Sequence, residues 1–388
     1  MTVILARILG GGLLAAALVL GAACGPGAAP APAKPAAPPA APAATAPASQ
    51  APVSQPPAAQ APTAAAQPPA ALRKVRYGTL NIFGDAGIFI GMDEGYYAEQ
   101  GIDVDLTSFD SAANMVAPLA TNQIDAGGGA PSAGLYNALR TGVNVRIVAD
   151  KGHSDPTPPG YPVSIYPLRK DLADSGRVKT VADLKGLRFG QPARGISPEL
   201  DLEAYLKQGG LTPADLDVNI ISFPDMVPAF ANGNLDVAWS VEPFATTMFN
   251  QGSAIPFGYD YPVHPYHQVG VLLYAPEFSQ SDLATKFMVG YLRGLRQYND
   301  AFMKKEPTAR EKTINTLINH TPVKNRALYD QMTFSALDPD GKMNLASFDE
   351  QQDYFLRTGT QQGRVDIQSY VDLQHIDNAA RQLGPYQR

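Results

Sequence analysis

The chain has 388 residues, with 36 acidic and 30 basic side chains for a formal charge of −6, 35 prolines and a single cysteine. That mild acidity, with no basic cluster, argues against nucleic acid as a partner. One cysteine excludes a disulfide-stapled scaffold.

Residues 1–23 read as a secretory signal. Arg7 supplies the charge, residues 8–20 a short apolar run, and Gly21, Ala22 and Ala23 a small-residue cleavage site ahead of Cys24. The run is shorter than the ~20 apolar residues a permanent span needs. A lone Cys directly after such a site resembles the lipobox of bacterial lipoproteins, although Gly21 stands where Leu is usual. The resemblance implies lipidation of Cys24. Residues 24–72 are almost wholly Ala and Pro. Such a segment buries too little apolar surface to offset its ordering entropy, so a disordered, extended tether is expected. The remaining ~315 residues are too many for one typical domain and too few for three. No later stretch is long and apolar enough to span a membrane.

This part of the chain writes one phrase twice. MVAPLATNQIDAGGGAPSA at 115–133 aligns with MVPAFANGNLDVAWSVEPF at 226–244, without a gap over the first twelve residues, so that Asp125 matches Asp236. The flanks match too. Strand-like runs at 75–80 and 187–190 lead to helices closed by glycine (EGYYAEQG, EAYLKQGG), then to strands ending in Ser-Phe at 102–109 and 218–223. Strands alternating with helices of about ten to fifteen residues predict parallel sheets with helices on both faces, and so two related α/β lobes. Ligands of open α/β sheets bind beyond the carboxyl ends of the strands. The repeated phrase is therefore expected to be scaffold. Its divergent endings, Gly127-Gly128-Gly129-Ala130-Pro131-Ser132 and Ala238-Trp239-Ser240-Val241-Glu242-Pro243, are expected to face each other across a cleft.

The tether, the paired lobes and the stretches GMDEGYYAEQGIDVDL, NQIDAG, VADLKGLRFG and LDVAWSVEPF resemble the solute-binding proteins of bacterial ABC importers. They are most similar to the branch of sulfonate, taurine, nitrate and thiamine-precursor receptors, related to fungal thiamine-pyrimidine synthases. The resemblance implies a two-lobed periplasmic-binding-protein fold with two hinge crossings. It gives a first lobe from 73–168, a second from 169–268, and a return at 269–274 into C-terminal helices (281–303 onward) that complete the first lobe to 388. The chain is expected to leave the first lobe near residues 166–170. The resemblance also implies a small-molecule ligand, permease and ATPase partners, a lipid anchor on the extracytoplasmic face and a monomer. It implies neither cofactor nor catalysis.

Within the cleft, the turn after the first strand offers Phe83 and Asp85, the latter either as an acceptor for ligand donors or as a helix cap. Gly128 lets main chain approach a ligand, and Ser132 closes the same wall. In the second lobe Arg194 is the one base near the cleft loops, and Ser197-Pro198 marks a helix start. Trp239, the sole tryptophan, is either core or a stacking platform, and Glu242 is placed to accept N–H or O–H donors. Several aromatics and acids against one arginine suit a flat heteroaromatic solute, riboflavin-like or a thiamine-type pyrimidine, better than an oxyanion needing clustered donors. Alkanesulfonates are the alternative. An enzyme related to the pyrimidine synthases is disfavoured because the family's cysteine-rich motif is missing. His264 and His267 have metal-like spacing but lack an evident third ligand, and Asp338-Pro339-Asp340-Gly341 lacks the remaining acids of a calcium loop.

Overall fold

The computed structural model describes residues 71–387. The signal segment, Cys24 and nearly all of the tether lie outside the described residues. Among these, β1 (Arg73–Thr79), β2 (Ile102–Ser108), β3 (Ala126–Gly129), β4 (Arg146–His153) and β10 (Gln268–Tyr274) form one five-stranded sheet, ordered β2-β1-β3-β10-β4. The second sheet holds β5 (Ile165–Arg169), β6 (Arg188–Gln191), β7 (Asp217–Ile220), β8 (Val237–Ala238) and β9 (Ala254–Tyr259), ordered β7-β6-β8-β5-β9. The two orders are one pattern used twice. β1 pairs in parallel with β2 and β3, as β6 does with β7 and β8.

The sheets are mixed rather than parallel. β10 runs antiparallel to β3 and β4, and β5 antiparallel to β8 and β9. Both are strands that follow a crossing between lobes, so each enters its new sheet against the prevailing direction. The first crossing also lies earlier than expected. β5 belongs to the second sheet, so the chain leaves the first lobe between His153 and Ile165, not near residues 166–170. An apolar run such as IYPLR announces a strand, but its periodicity does not say which sheet will pair with it.

The repeated aspartates close the ends of the strands remote from the cleft. Asp125 accepts hydrogen bonds from Arg76 N at 2.8 Å and Nε at 3.0 Å. Asp236 does the same with Arg188 N at 3.0 Å and Nε at 2.9 Å, and adds Arg169 Nη1 at 2.8 Å. Each Asp thus fixes the register between the first strand of its lobe and the strand that leads to the cleft.

Behind the first sheet, helix Leu283–Phe302 packs on helices Ala86–Asp93 and Gln374–Leu383. It buries Phe287, Tyr291, Leu295 and Tyr298 at helical spacing. A Cβ at Gly294 would fall 2.0 Å from the carbonyl oxygen of Gly87, so the contact between these helices is backbone to backbone and requires glycine.

Candidate ligand-binding cleft

The carboxyl ends of β1, β3, β6 and β8 converge on one cavity between the lobes. The first lobe contributes Leu80, Ile82, Phe83 and Gly84 after β1, Gly129 and Ala130 at the end of β3, and Lys151 from β4. The second lobe contributes Pro192 and Ile196 after β6, Phe223, and Trp239, Val241 and Glu242 after β8. The enclosed volume is ≈ 40 Å³, where one water centre needs about 10–15 Å³. The lobes are closed upon each other. Main-chain hydrogen bonds join them from Ala133 N to Gly195 O at 2.8 Å, Ser197 N to Pro131 O at 2.9 Å and Phe83 N to Glu242 O at 3.2 Å.

Three of the seven cleft residues expected from sequence line this cavity. Phe83 is buried and stacks on Phe334, ring centroids 5.6 Å apart. Trp239 is both core and wall. It is 5% exposed and meets Phe223 edge-on at 5.2 Å, yet it borders the cavity, and its Nε1 is buried without a hydrogen-bond partner. Glu242 also lines the cavity, and both of its oxygens are already engaged by protein donors. Its oxygens receive Thr246 N at 3.1 Å, Thr246 Oγ1 at 2.7 Å and, across the cleft, Thr333 N at 3.2 Å and Oγ1 at 3.3 Å. Burial pushes its carboxyl above the usual range, and these donors offset that only in part. Glu242 is a clasp between lobes rather than an acceptor left open for a ligand.

The other four are not in the lining. Asp85 is fully buried behind it, accepting from Tyr77 Oη, Thr79 Oγ1 and Leu80 N, each at 3.0 Å. It shapes the turn after β1 and does not cap the following helix, to which its side chain makes no capping hydrogen bond. Gly128 sits inside the sheet, where a Cβ would meet Val271 O at 2.1 Å, and Gly129 takes its place at the wall. Ser132 caps helix Ala133–Arg140 by accepting from Leu135 N at 3.1 Å. Arg194 is exposed and donates to Val218 O at 3.0 Å, away from the cavity. Ser197 stands at the helix start foreseen, yet its hydroxyl donates to Val269 O at 3.2 Å instead of capping.

Sequence reasoning missed Lys151. Its side chain is 1% exposed, and Nζ lies 2.8 Å from Asp85 Oδ1. That distance makes Asp85 the charge-assisted partner of the ammonium. The available signal was a lysine near the end of the otherwise apolar strand RIVADKGH.

His264 and His267 do acquire a third group, Asp201, on helix Pro198–Lys207. Its Oδ1 lies 2.9 Å from His264 Nδ1 and 2.6 Å from His267 Nδ1. Two facts oppose a shared metal ion. The imidazoles are stacked 4.3 Å apart at 10°, so no point lies in both ring planes, where the nitrogen lone pairs point. Gln351 Nε2, already committed as a donor to Gln268 O, stands 3.0 Å from His267 Nε2. His267 Nε2 must therefore accept, which puts the proton on Nδ1 facing Asp201. His264 has carboxylates at both ring nitrogens, with Glu350 Oε2 3.1 Å from Nε2. Burial lowers its pKa, but Asp201 and Glu350 more than reverse this, and the net shift is upward.

The chain matches the model of the NMT1-like family over residues 68–273, more than half its length. No curated protein sequence matches it. Among solved structures it is similar to the zinc-bound ligand-binding component of an ABC-type import system from Staphylococcus aureus, with a TM-score of 0.64 and 16% identity, covering 80% of this chain and 99% of that one. The alkanesulfonate-binding protein SsuA from Xanthomonas axonopodis pv. citri, bound to MOPS, gives a TM-score of 0.60 at 18% identity, covering 80% and 100%. The desulfurization enzyme DSZB gives 0.55 at 15% identity, covering 80% and 99%. These likenesses establish the periplasmic-binding-protein fold, and by the family match the chain belongs to the NMT1-like family.

Proposed function

We propose that the protein is the extracytoplasmic solute-binding component of an ABC-type import system, tethered to the membrane through a lipidated Cys24 and delivering its solute to a permease and ATPase. The observation that carries this reading is the cavity between the lobes, walled by the carboxyl ends of both sheets. Its lining is mostly apolar with few polar groups, as small-molecule sites are. The rings of Phe83, Phe223 and Trp239 favour a flat heteroaromatic solute of the vitamin or pyrimidine kind. The closed volume of ≈ 40 Å³ requires the lobes to part for such a ring. The second reading, an alkanesulfonate, would need a free cation, and the one in the lining, Lys151, is already paired with Asp85 at 2.8 Å.

An enzyme on the same fold is the alternative that DSZB brings into view. Among the described residues no cysteine or histidine lines the cavity, and both oxygens of Glu242 are engaged. That composition supports binding over nucleophilic or general-base chemistry. A thermal-shift screen of the full chain against vitamins, sulfonates and amino acids tests the proposal. A true ligand at 100 times its Kd adds about 2.7 kcal/mol. Failure of every class to shift the melting temperature would count against a solute receptor. Retention of a Cys24→Ser variant in the membrane fraction would count against the anchor.

A further inference from the structure

The cavity lining holds buried donors that the protein does not fully pair. Trp239 Nε1 is buried without a hydrogen-bond partner, Lys151 Nζ is buried with Asp85 beside it and three protons to place, and both residues line the same space. Buried donors are rarely left unpaired, since each costs the loss of its hydration. Glu242, the one carboxylate in the lining, already receives donors on both oxygens.

The charge of the site is settled by Asp85. Its carboxylate accepts from Tyr77, Thr79 and the Leu80 amide, and its Oδ1 also lies 2.8 Å from Lys151 Nζ. The lysine is therefore neutralised by Asp85, while the ammonium protons not directed at that carboxylate stay available. A formal anion brought into this apolar space would add a negative charge with no counter-charge left to meet it, at a cost of several kcal/mol. A formal cation would face two donors. An uncharged acceptor, such as a carbonyl or ring oxygen or nitrogen, satisfies both donors without adding charge. We infer that Lys151 and Trp239 are the polar determinants of the ligand site and select an uncharged solute whose acceptor atoms receive Lys151 Nζ and Trp239 Nε1. This rests on the reading of the cavity as a solute site, and it names the ligand's polar chemistry.

Three probes of one shape separate the charge states: benzamide, benzoate and benzylamine, titrated calorimetrically into the full chain at millimolar concentration. Benzamide is expected to bind at least about 10-fold more tightly than either ion, a difference of about 1.4 kcal/mol. Trp239→Phe keeps the ring and deletes the N–H, and Lys151→Met keeps the stem and deletes the ammonium. Each is expected to weaken benzamide several-fold, while benzoate, which still meets the Asp85 charge, stays the weaker ligand. Since Lys151→Met also strands the buried Asp85, Trp239→Phe is the variant that decides if the first one unfolds. Benzoate binding as tightly as benzamide, or benzamide affinity unchanged in Trp239→Phe, overturns the inference while leaving a solute receptor intact. Saturable binding by none of the three overturns the solute site itself.

Discussion

The two lobes repeat a sequence phrase, and the repeat keeps its Asp where it builds the sheets and diverges where it reaches the cavity. Asp125 and Asp236 each clamp the arginine of the neighbouring first strand through the same backbone and Nε contacts. Three residues on, the copies part. Gly128 is pressed against β10 with no room for a Cβ, while Trp239 turns one edge to the core and another to the cavity. The first lobe uses that position to bring two strands together. The second uses it to present a ring and an unspent N–H. Matching residues mark the scaffold, and the cavity wall is built where the match fails.

Substitutions at the paired positions sharpen this contrast. The largest effect is expected for Trp239→Ala, which empties a well-packed site and should cost about 3–5 kcal/mol of stability in denaturant melts, with loss of solute binding. Gly128→Ala, at the matching position, should cost about 3 kcal/mol by forcing β3 from β10, and any loss of solute binding should track the loss of fold. Should Gly128→Ala fold normally but bind poorly, the division between scaffold and wall would be wrong.

The clamps come next. Asp236→Ala strands two arginines and should cost about 2–3 kcal/mol, against about 1–2 for Asp125→Ala, which strands one. Burial raises the Asp236 pKa, but the bonds from Arg188 more than offset it, so the net value is low. Its contribution is present above the unfolded value near 4 and fades as pH falls through the depressed folded value, so melts below pH of about 4 should lose it. Equal losses at the two positions would remove the claimed difference in clamp strength.

A smaller effect is expected at the hinge, where two titrations push the same way. His264 bridges Asp201 in the second lobe to Glu350 on helix Ala346–Arg357, and Arg357 joins the same helices through Glu203 at 3.0 and 2.6 Å. A raised histidine pKa gives stability that is full below about 6.5 and lost as pH rises through the folded value. Asp260, raised to about 8 by burial and by Asp201, keeps its proton in the folded chain and costs stability as pH climbs from about 4. The melting temperature should therefore fall between about pH 6.5 and 8, and the double change His264→Gln with Asp260→Asn should flatten that slope.

Most of the architecture was legible because it rests on local pattern. Strand–helix alternation, closing glycines and the repeat gave both lobes, and β1, β2, β6 and β10 fall within two or three residues of where the pattern put them. What was not legible depends on which strands pair and which side chains meet. The antiparallel β5 and β10 and the earlier crossing follow from three-dimensional closure, not from periodicity. At the site, Phe83, Trp239 and Glu242 were found because they follow strand ends. Asp85, Gly128, Ser132 and Arg194 follow strand ends too, but turn into the turn, the sheet, a helix cap and solvent. Lys151 escaped because its partner Asp85 lies 66 residues away in sequence, and only the fold brings them within 2.8 Å.

The central claim is that two hinged lobes enclose the cavity and are clasped across it by Glu242. Its most direct test is the distance between spin labels placed one per lobe, at Thr121→Cys and Lys207→Cys, in a Cys24→Ser background. The clasped protein should give one short, narrow distribution. Glu242→Ala with Thr333→Val removes all hydrogen bonds to the Glu242 carboxylate and should give a longer, broader one. Identical distributions for the two proteins would contradict the claim.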